Sequence, residues 1–540
     1  MEGLRVSEFY SGIGGLHCAF ETCGTKGKVL HAFDINTAAN EVYKHNFPDT
    51  TVHQRNLTSF SIANHNAMPA DVWLMSPPCQ PYTRQGKQMG SKDMRAQSFI
   101  HLVDLLGNLD TPPSYLLMEN VFGFEKSDTH EVLVAQLTKL NYTYQEFLLT
   151  PDQFGIPNSR LRYFLLAKRA PRALLDIGLR SRQSFQALKN ALQFTIAPCD
   201  VGVIQTTIPG DGECFPSPQH HNYHYTTKAD VGTSDESNTT EGGNPAIDVA
   251  EQTAEADDKN KTTIAPAKRS CDSPVVRERD PESWKRQKTG SAQCKALSHF
   301  LQSSEELAGD RMAPGFIAEK VVVQKGPVWD IVVPTDTRSC CFTKAYSKYH
   351  EGTGSVLQTN TEHSYVSAFE PIMEARRISN ENKRAQFEES KASSSHTPAE
   401  THTQEQSQSQ SQSETEPQTS AQSLVDGKEV PPTESDIGTE LQTQSKAKIE
   451  TTEETAADKS PAVAKGIMSE VPREQIDAVM ALGLRFLSPR EIARLHCFPD
   501  TMTFPKSINR NSAYKLLGNS LNVRVVSRLL TYMFDSQKEQ

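Results

Sequence analysis

The sequence predicts an α/β fold, a doubly wound and mostly parallel sheet with helices on both faces. Two observations carry this expectation. Across residues 4–168 short apolar runs alternate with amphipathic ones, the pattern of strands and covering helices. The sharpest motifs then stand just past the ends of the apolar runs, where open α/β sheets place their ligands.

Taken in order, LRVSEFY reads as the first strand and the glycine-rich YSGIGG as the turn into a helix. VLHAFD is the next strand, and TAANEVYKHNF a helix. DVWLM, YLLME and RLRYFLLAK are further strands, with helices over 94–109 and EVLVAQLTKL between them. Leu133, Leu137 and Leu140 fall at helical spacing and mark the covered face of the last of these helices.

This N-terminal part runs over 1–195. Residues 222–292 and 376–466, the second including QSQSQSQS, are too poor in large apolar residues to offset the entropy of ordering, and both are expected to be disordered insertions. Between them, 294–375 recovers aromatic and β-branched residues and should fold as a small module. Order returns over 473–535, where Ser488, Pro489 and Glu491 spell a capped helix start and Val525, Val526, Leu529, Leu530 and Met533 line one helix face.

A chain of 540 residues has room for two or three domains, but only 36% of residues are apolar and the mean hydropathy is -0.54, so the folded part should be much shorter than the chain. The net charge of -10 is unevenly spread. Residues 1–190 carry 19 Lys and Arg against 17 Asp and Glu, while 378–465 carry 8 against 16. A near-neutral core can still meet a phosphate backbone. No apolar run approaches the length needed to cross a membrane, so no membrane partner is expected. The ten cysteines show neither a CxxC pair nor Cys/His spacing suited to zinc. With no secretory apolar region in MEGLRVSEFYSG, reduced thiols in the cytoplasm are expected and no metal site. Lys268-Arg269 and Lys285-Arg286-Gln-Lys288 could serve as a two-part nuclear import signal as well, but their spacing is longer than usual and a solvated charge run is the plainer reading.

Five motifs carry chemistry. In Tyr10-Ser-Gly12-Ile13-Gly14-Gly15 the glycines permit a tight turn and close approach to a ligand, and Asp34, ending the next strand, can accept from both hydroxyls of a ribose. The pattern stops short of a pyrophosphate fingerprint, which favours a nucleoside without phosphates; an ordinary strand-to-helix turn also has this form. Ser76-Pro77-Pro78-Cys79-Gln80-Pro81 is a stiff loop that holds one thiol at a strand end, a poor place to hide an apolar side chain. Glu119-Asn120-Val121 places a carboxyl at a parallel position, where desolvation can keep it protonated and able to donate to a ring nitrogen. Arg160 and Arg162 alternate onto one face of a strand and can meet a phosphate or a carbonyl, or form surface ion pairs. Gly518-Asn519-Ser520-Leu521-Asn522-Val523 is a polar turn before the last helix.

YSGIGG, FDIN, SPPCQP, MENV, SRLRYF and LLGNSLNV, in this order, resemble the cytosine-5 methyltransferases. Within them the stretch from Cys341-Phe342-Thr343-Lys344 to Val356-Leu357 is similar to the eukaryotic subgroup that has a DNA-methyltransferase-like fold and modifies tRNA-aspartate. The resemblance covers roughly 1–200, 294–370 and 475–535. It implies a Rossmann-like S-adenosylmethionine methyltransferase fold in which 294–375 is the target-recognition module.

The same resemblance implies S-adenosyl-L-methionine as cofactor, held by Gly12, Ile13, Gly14, Gly15 and Asp34, with Asn56 and Leu57 at its adenine end and Ser76 and Ser520 completing the site. Cys79 is the implied nucleophile at C6 of cytosine, Glu119 the donor to the ring, and Arg162 with Arg160 the supports of the base. The implied substrate is an anticodon-loop cytosine of tRNA-Asp, since a base already in a loop is cheapest to present. The module 294–370 together with Lys87 and Arg95 would contact the RNA. DNA remains the alternative polymer, and an inactive cofactor-binding scaffold a third reading; a monomer is expected. Two departures stand out. Cys497 replaces the usual Gly before Phe-Pro, an expected packing change, and two long insertions interrupt the recognition region.

Overall fold

The computed structural model describes residues 3–79, 93–169, 204–214, 293–394 and 471–535. Its centre is an eight-stranded sheet in the order β3-β2-β1-β4-β5-β7-β6-β8. The strands are β1 (Leu4–Phe9), β2 (Gly27–Asp34), β3 (Thr51–Gln54), β4 (Val72–Met75), β5 (Tyr115–Val121), β6 (Tyr142–Leu149), β7 (Arg162–Arg169) and β8 (Ile204–Gln205). β1 to β5 pair parallel, and β7 lies antiparallel between β5 and β6, so the sheet is mostly parallel as the alternation predicts.

Both faces are covered, which is why VWLM of β4 and YLLM of β5 read as continuous apolar runs. Alternation along β1 sends Val6 into one core with Leu16, Phe20 and Leu529, and Phe9 into the other with Phe33, Trp73 and Phe99. The helix α1 (Gly15–Thr22) follows the glycine turn, and α2 (Thr37–Asn46) is capped by the Asn36 side chain, which accepts from the amides of Ala38 and Ala39. On the opposite face α3 (Met94–Leu106) and α4 (Asp128–Lys139) bury Phe99, Leu102, Leu133 and Leu137.

β3, β6 and β8 are strands that the hydropathy pattern does not mark. TVHQ is polar because it lies at the sheet's edge, and YTYQEFLL mixes polar and apolar residues without a clean period. The β5–β7 pairing positions the site. Its register sets Glu119 opposite Phe164 and Val121 opposite Arg162, so Glu119 and Arg162 are diagonal neighbours on one face.

A second sheet joins β9 (Asp330–Val332), β10 (Ser355–Gln358) and β11 (Leu484–Phe486) in the order β11-β10-β9. β11 comes from the C-terminal segment and pairs antiparallel with β10. Just beyond it Ser488 caps α5 (Pro489–Leu495) with Glu491 in a reciprocal box, and the buried Glu491 also takes Arg485 at 2.7 Å. The closing helix α6 (Val523–Asp535) packs on α1, with Phe20 and Phe534 edge to face at 6.2 Å between centroids.

Composition alone predicts no structure from 376 onward, yet a helix spans Tyr365–Ser394. From Ile372 it belongs to a separate compact unit, Ile372–Pro472. Its exposed Arg377 bonds Glu374 and Glu381, each at 2.6 Å, the local i,i+3 and i,i+4 support a polar helix needs. The insertion 222–292 and the remainder of 376–466 lie outside the described residues, as do both basic clusters of 268–288.

Cys497 proves to be more than a packing change. Its φ is 59°, in the left-handed region where a Cβ crowds the following carbonyl, so a side chain stands where the backbone favours glycine.

Candidate active site

A cavity of about 480 Å³ opens at the carboxyl ends of β1, β2, β4 and β5. Gly12, Ile13, Gly15, Asp34, Asn56, Leu57, Ser76, Cys79, Glu119, Arg160, Arg162 and Ser520 all line it. Gly14 is the one residue of the expected set outside the lining. It is the N-cap of α1 at φ 87°, and a Cβ there would fall 2.3 Å from the Phe47 ring.

One end of the cavity is the glycine turn. The Asp34 carboxylate accepts from the amide of Gly12 at 2.9 Å and of Asn36 at 2.8 Å, which fixes the turn against β2 and leaves lone pairs for a ligand. Burial raises the Asp34 pKa despite these bonds. Asn56 uses its side-chain oxygen to cap the turn beginning at Leu57, accepting from Thr58 at 3.1 Å. Ser76 donates from its hydroxyl to the carbonyl of Tyr10 at 2.9 Å, and Tyr10 itself holds a left-handed φ of 59°. Ser76 thus clamps the turn as well as lining the cavity. Ser520 closes the wall from the C-terminal segment, its Oγ 3.1 Å from where a Cβ on Gly15 would stand.

The other end holds the thiol. Asn120 donates to the carbonyl of Pro77 at 3.4 Å, tying the end of β5 to the loop that carries Cys79. Burial, and next to it the Glu119 carboxylate, raise the Cys79 thiol above its usual range, while Arg162 and Arg160 pull it back. Burial likewise raises Glu119 against the same two guanidinium groups. Arg162 Nε lies 3.4 Å from Glu119 Oε1.

Arg160 precedes β7 and is only 4% exposed. It donates to the carbonyls of Phe342 at 3.2 Å, of Gly518 at 3.3 Å and of Ser520, and to the Cys341 sulfur at 3.4 Å. One guanidinium therefore joins two remote segments to the start of β7 at the edge of the cavity. Gly518 is required at this junction, because a Cβ there would meet the Thr343–Lys344 backbone at 2.2 Å. The Cys341 thiol, which burial alone would raise, is lowered by its two arginine neighbours.

Several lining residues escape sequence reasoning. Ile35, 66% exposed just after Asp34, and Met94, 88% exposed at the start of α3, offer apolar surface to a ligand. Exposed apolar residues beside a binding motif are a usable signal; Glu8 and Ser11, buried next to the glycine turn, give none in the pattern. Arg95 lines the cavity and pairs with Asp93 at 2.6 Å. Lys87 lies outside the described residues. Among the described residues no group of three His, Cys, Asp or Glu could hold a metal ion, and no helix is long and apolar enough to cross a membrane.

The family described as C-5 cytosine-specific DNA methylase matches residues 4–306 and 344–535. A protein of Rattus norvegicus named tRNA (cytosine(38)-C(5))-methyltransferase is 31% identical over 99% of this chain and 100% of its own length. A Dictyostelium discoideum protein named DNA (cytosine-5)-methyltransferase is 26% identical over 100% of this chain and 96% of its own. The crystal structure of a Spodoptera frugiperda DNMT2 mutant superposes with a TM-score of 0.54 at 25% identity, covering 98% of this chain and 99% of that one.

Proposed function

Because this chain belongs to the C-5 cytosine-specific DNA methylase family, we propose that it methylates C5 of a cytosine in tRNA, with S-adenosyl-L-methionine as donor. The observation that carries the reading is a single cavity with a glycine turn and Asp34 at one end and Cys79, Glu119 and Arg162 at the other. An anticodon-loop cytosine of tRNA-Asp is the substrate this reading favours, since its base needs little unstacking.

The cavity fits that donor. Asp34 is poised for ribose hydroxyls, Ile35 offers an apolar face to the adenine, and Ser11 Oγ is buried without a partner among the described residues. When bound, the cofactor supplies an electrophilic methyl group. Every other part of the reaction falls to the chain's own residues.

Carbon 5 of cytosine is too weak a nucleophile to take the methyl directly. The Cys79 thiolate adds to C6, and the electron pair of the C5–C6 double bond becomes available at C5. Glu119, whose pKa burial raises, donates from its protonated form to N3 as charge builds on the ring, and Arg162 supports the base. Once C5 carries both the methyl and its original proton, that proton passes to solvent, N3 returns its proton to Glu119, and the C5–C6 double bond reforms as the sulfur of Cys79 leaves. Arg160, whose two terminal nitrogens donate to carbonyls and a thiol, positions the wall of the site.

The test is methyl transfer from labelled S-adenosylmethionine to tRNA and to duplex DNA, with Cys79→Ala alongside. Label is expected in tRNA only and lost by at least about 10³-fold in the variant. Label chiefly in DNA would favour the second reading, which the Dictyostelium relative's name supports. An absence of label from both polymers overturns the proposal.

A further inference from the structure

Glu8 is the only charged side chain of β1 that is fully buried, and it lines the cavity beside the glycine turn. A chain of side-chain contacts leads from it to the surface. Glu8 Oε2 lies 2.7 Å from the Tyr43 hydroxyl, which lies 2.8 Å from His17 Nδ1; His17 Nε2 is 3.3 Å from Glu21 Oε1. Glu21 is 62% exposed at its side chain, so the series runs from the cavity to solvent through α2 and α1.

The protons along it can be assigned by elimination. If Tyr43 donates to ionised Glu8, its oxygen must accept from Nδ1–H of His17, which leaves Nε2 as an acceptor facing Glu21. Burial keeps His17 neutral by lowering its pKa to about 4, and burial raises Glu21 above the usual carboxylate range. The Glu8–Tyr43 and Tyr43–His17 links then each have one donor and one acceptor, and Glu21 stands at ion-pair distance where Nε2 faces solvent. A concerted shift takes a proton from solvent beside Glu21 to His17 Nε2, from His17 Nδ1 to Tyr43, and from Tyr43 to Glu8; solvent loses what Glu8 gains.

We propose that Glu8, Tyr43, His17 and Glu21 form a proton relay that matches the charge of Glu8 to the occupant of the cavity, ionised for a sulfonium cofactor and protonated for its neutral-sulfur product. This rests on the cofactor reading given above. A like relay of neutral groups would be needless behind a cavity that never changes its charge. Methyl transfer changes it by one unit, because the sulfonium becomes a thioether.

The groups facing Glu8 fix the sign. Burial pushes Glu8 up to about 8, the Tyr43 hydrogen bond and the amides of His17 and Leu16 oppose that rise, and Asp34 on β2 adds to it. Cys18 on α1, raised by burial and by Glu8, is neutral. At pH 7 Glu8 is therefore mainly protonated, and a bound cation favours its ionisation. Cofactor binding expels a proton at pH 7, and affinity rises with pH until Glu8 is ionised beforehand, at about pH 8 and above.

Titration calorimetry of the full chain in buffers of different ionisation enthalpy reads this directly. Wild type is expected to release a proton on binding S-adenosylmethionine at pH 7 and less on binding S-adenosylhomocysteine. Relative to Glu8→Gln, its cofactor Kd should fall about tenfold between pH 7 and pH 9. Tyr43→Phe, which removes a bond favouring the ionised form, should move the midpoint to higher pH. Equal proton release in wild type and Glu8→Gln, or equal release for the two ligands, overturns the relay. Should Glu8→Gln fail to fold, an unmoved midpoint in Tyr43→Phe does the same. Wild type that binds no S-adenosylmethionine at any pH refutes the cofactor reading instead.

Discussion

The cofactor end of the cavity comes mostly from one stretch of chain, Glu8 to Ser76, with Ser520 closing its wall, whereas the thiol end is assembled from Cys79, Glu119, Arg160 and Arg162 with help from Phe342 and Gly518. The first end rests on local devices: a glycine turn, an acidic strand end and side-chain caps on short turns. The second depends on one buried guanidinium that spans 182 residues to Phe342 and 358 to Gly518. Binding can therefore be damaged piecemeal, while the chemical end stands or falls as an assembly.

The contrast breaks most sharply at Arg160. Arg160→Met leaves the carbonyls of Phe342, Gly518 and Ser520 without their donor, and stability is expected to fall by about 3 kcal/mol, read as a lower urea midpoint. Methyl transfer should fall with it; a variant of unchanged midpoint would falsify the role given to this residue. Asp34→Asn sharpens the other side. It is isosteric, but one of the two oxygens that accept from Gly12 and Asn36 becomes a donor, which loosens the turn and weakens the ribose contacts, so cofactor Kd should rise at least about tenfold, or ~1.4 kcal/mol, with kcat at saturating cofactor near wild type. A loss of kcat without a change in Kd would show that the two ends are not separable. The smallest effect belongs to Cys497→Gly, which relieves a left-handed φ at the cost of a more flexible unfolded chain; a gain of about 0.5 kcal/mol is expected, and a lower unfolding midpoint counts against strain there.

The same division governs what can be read from the sequence. The turn, the thiol loop and the acidic strand ends are visible because each is a short run whose residues act on their neighbours. The strand Val72–Met75 and the first half of Tyr115–Val121 are visible because a doubly covered sheet makes them continuously apolar, whereas Leu4–Phe9 is marked by the glycine turn that follows it. Thr51–Gln54 is not, since an edge strand need not be apolar. Arg160 looks like half of an Arg-Leu-Arg strand pattern, yet its partners are carbonyls, which carry no side-chain signature. The left-handed backbone at Cys497 is equally silent, for φ belongs to the turn rather than to the residue. Glu8 is a charge within an apolar run, and only the three-dimensional neighbours Tyr43 and His17 give it a purpose.

The packing of Val523–Asp535 on Gly15–Thr22 has a consequence for how the protein comes into being. A ribosome delivers the glycine turn first and its covering wall hundreds of codons later. Until Ser520 and Leu521 emerge, the surface they will cover on Gly15 is open, and the carbonyls of Gly518 and Ser520 that Arg160 will bind have not yet been made. The nascent protein thus carries its nucleophile for hundreds of codons without a finished pocket, and it gains the pocket only once Gly518 to Leu521 have emerged.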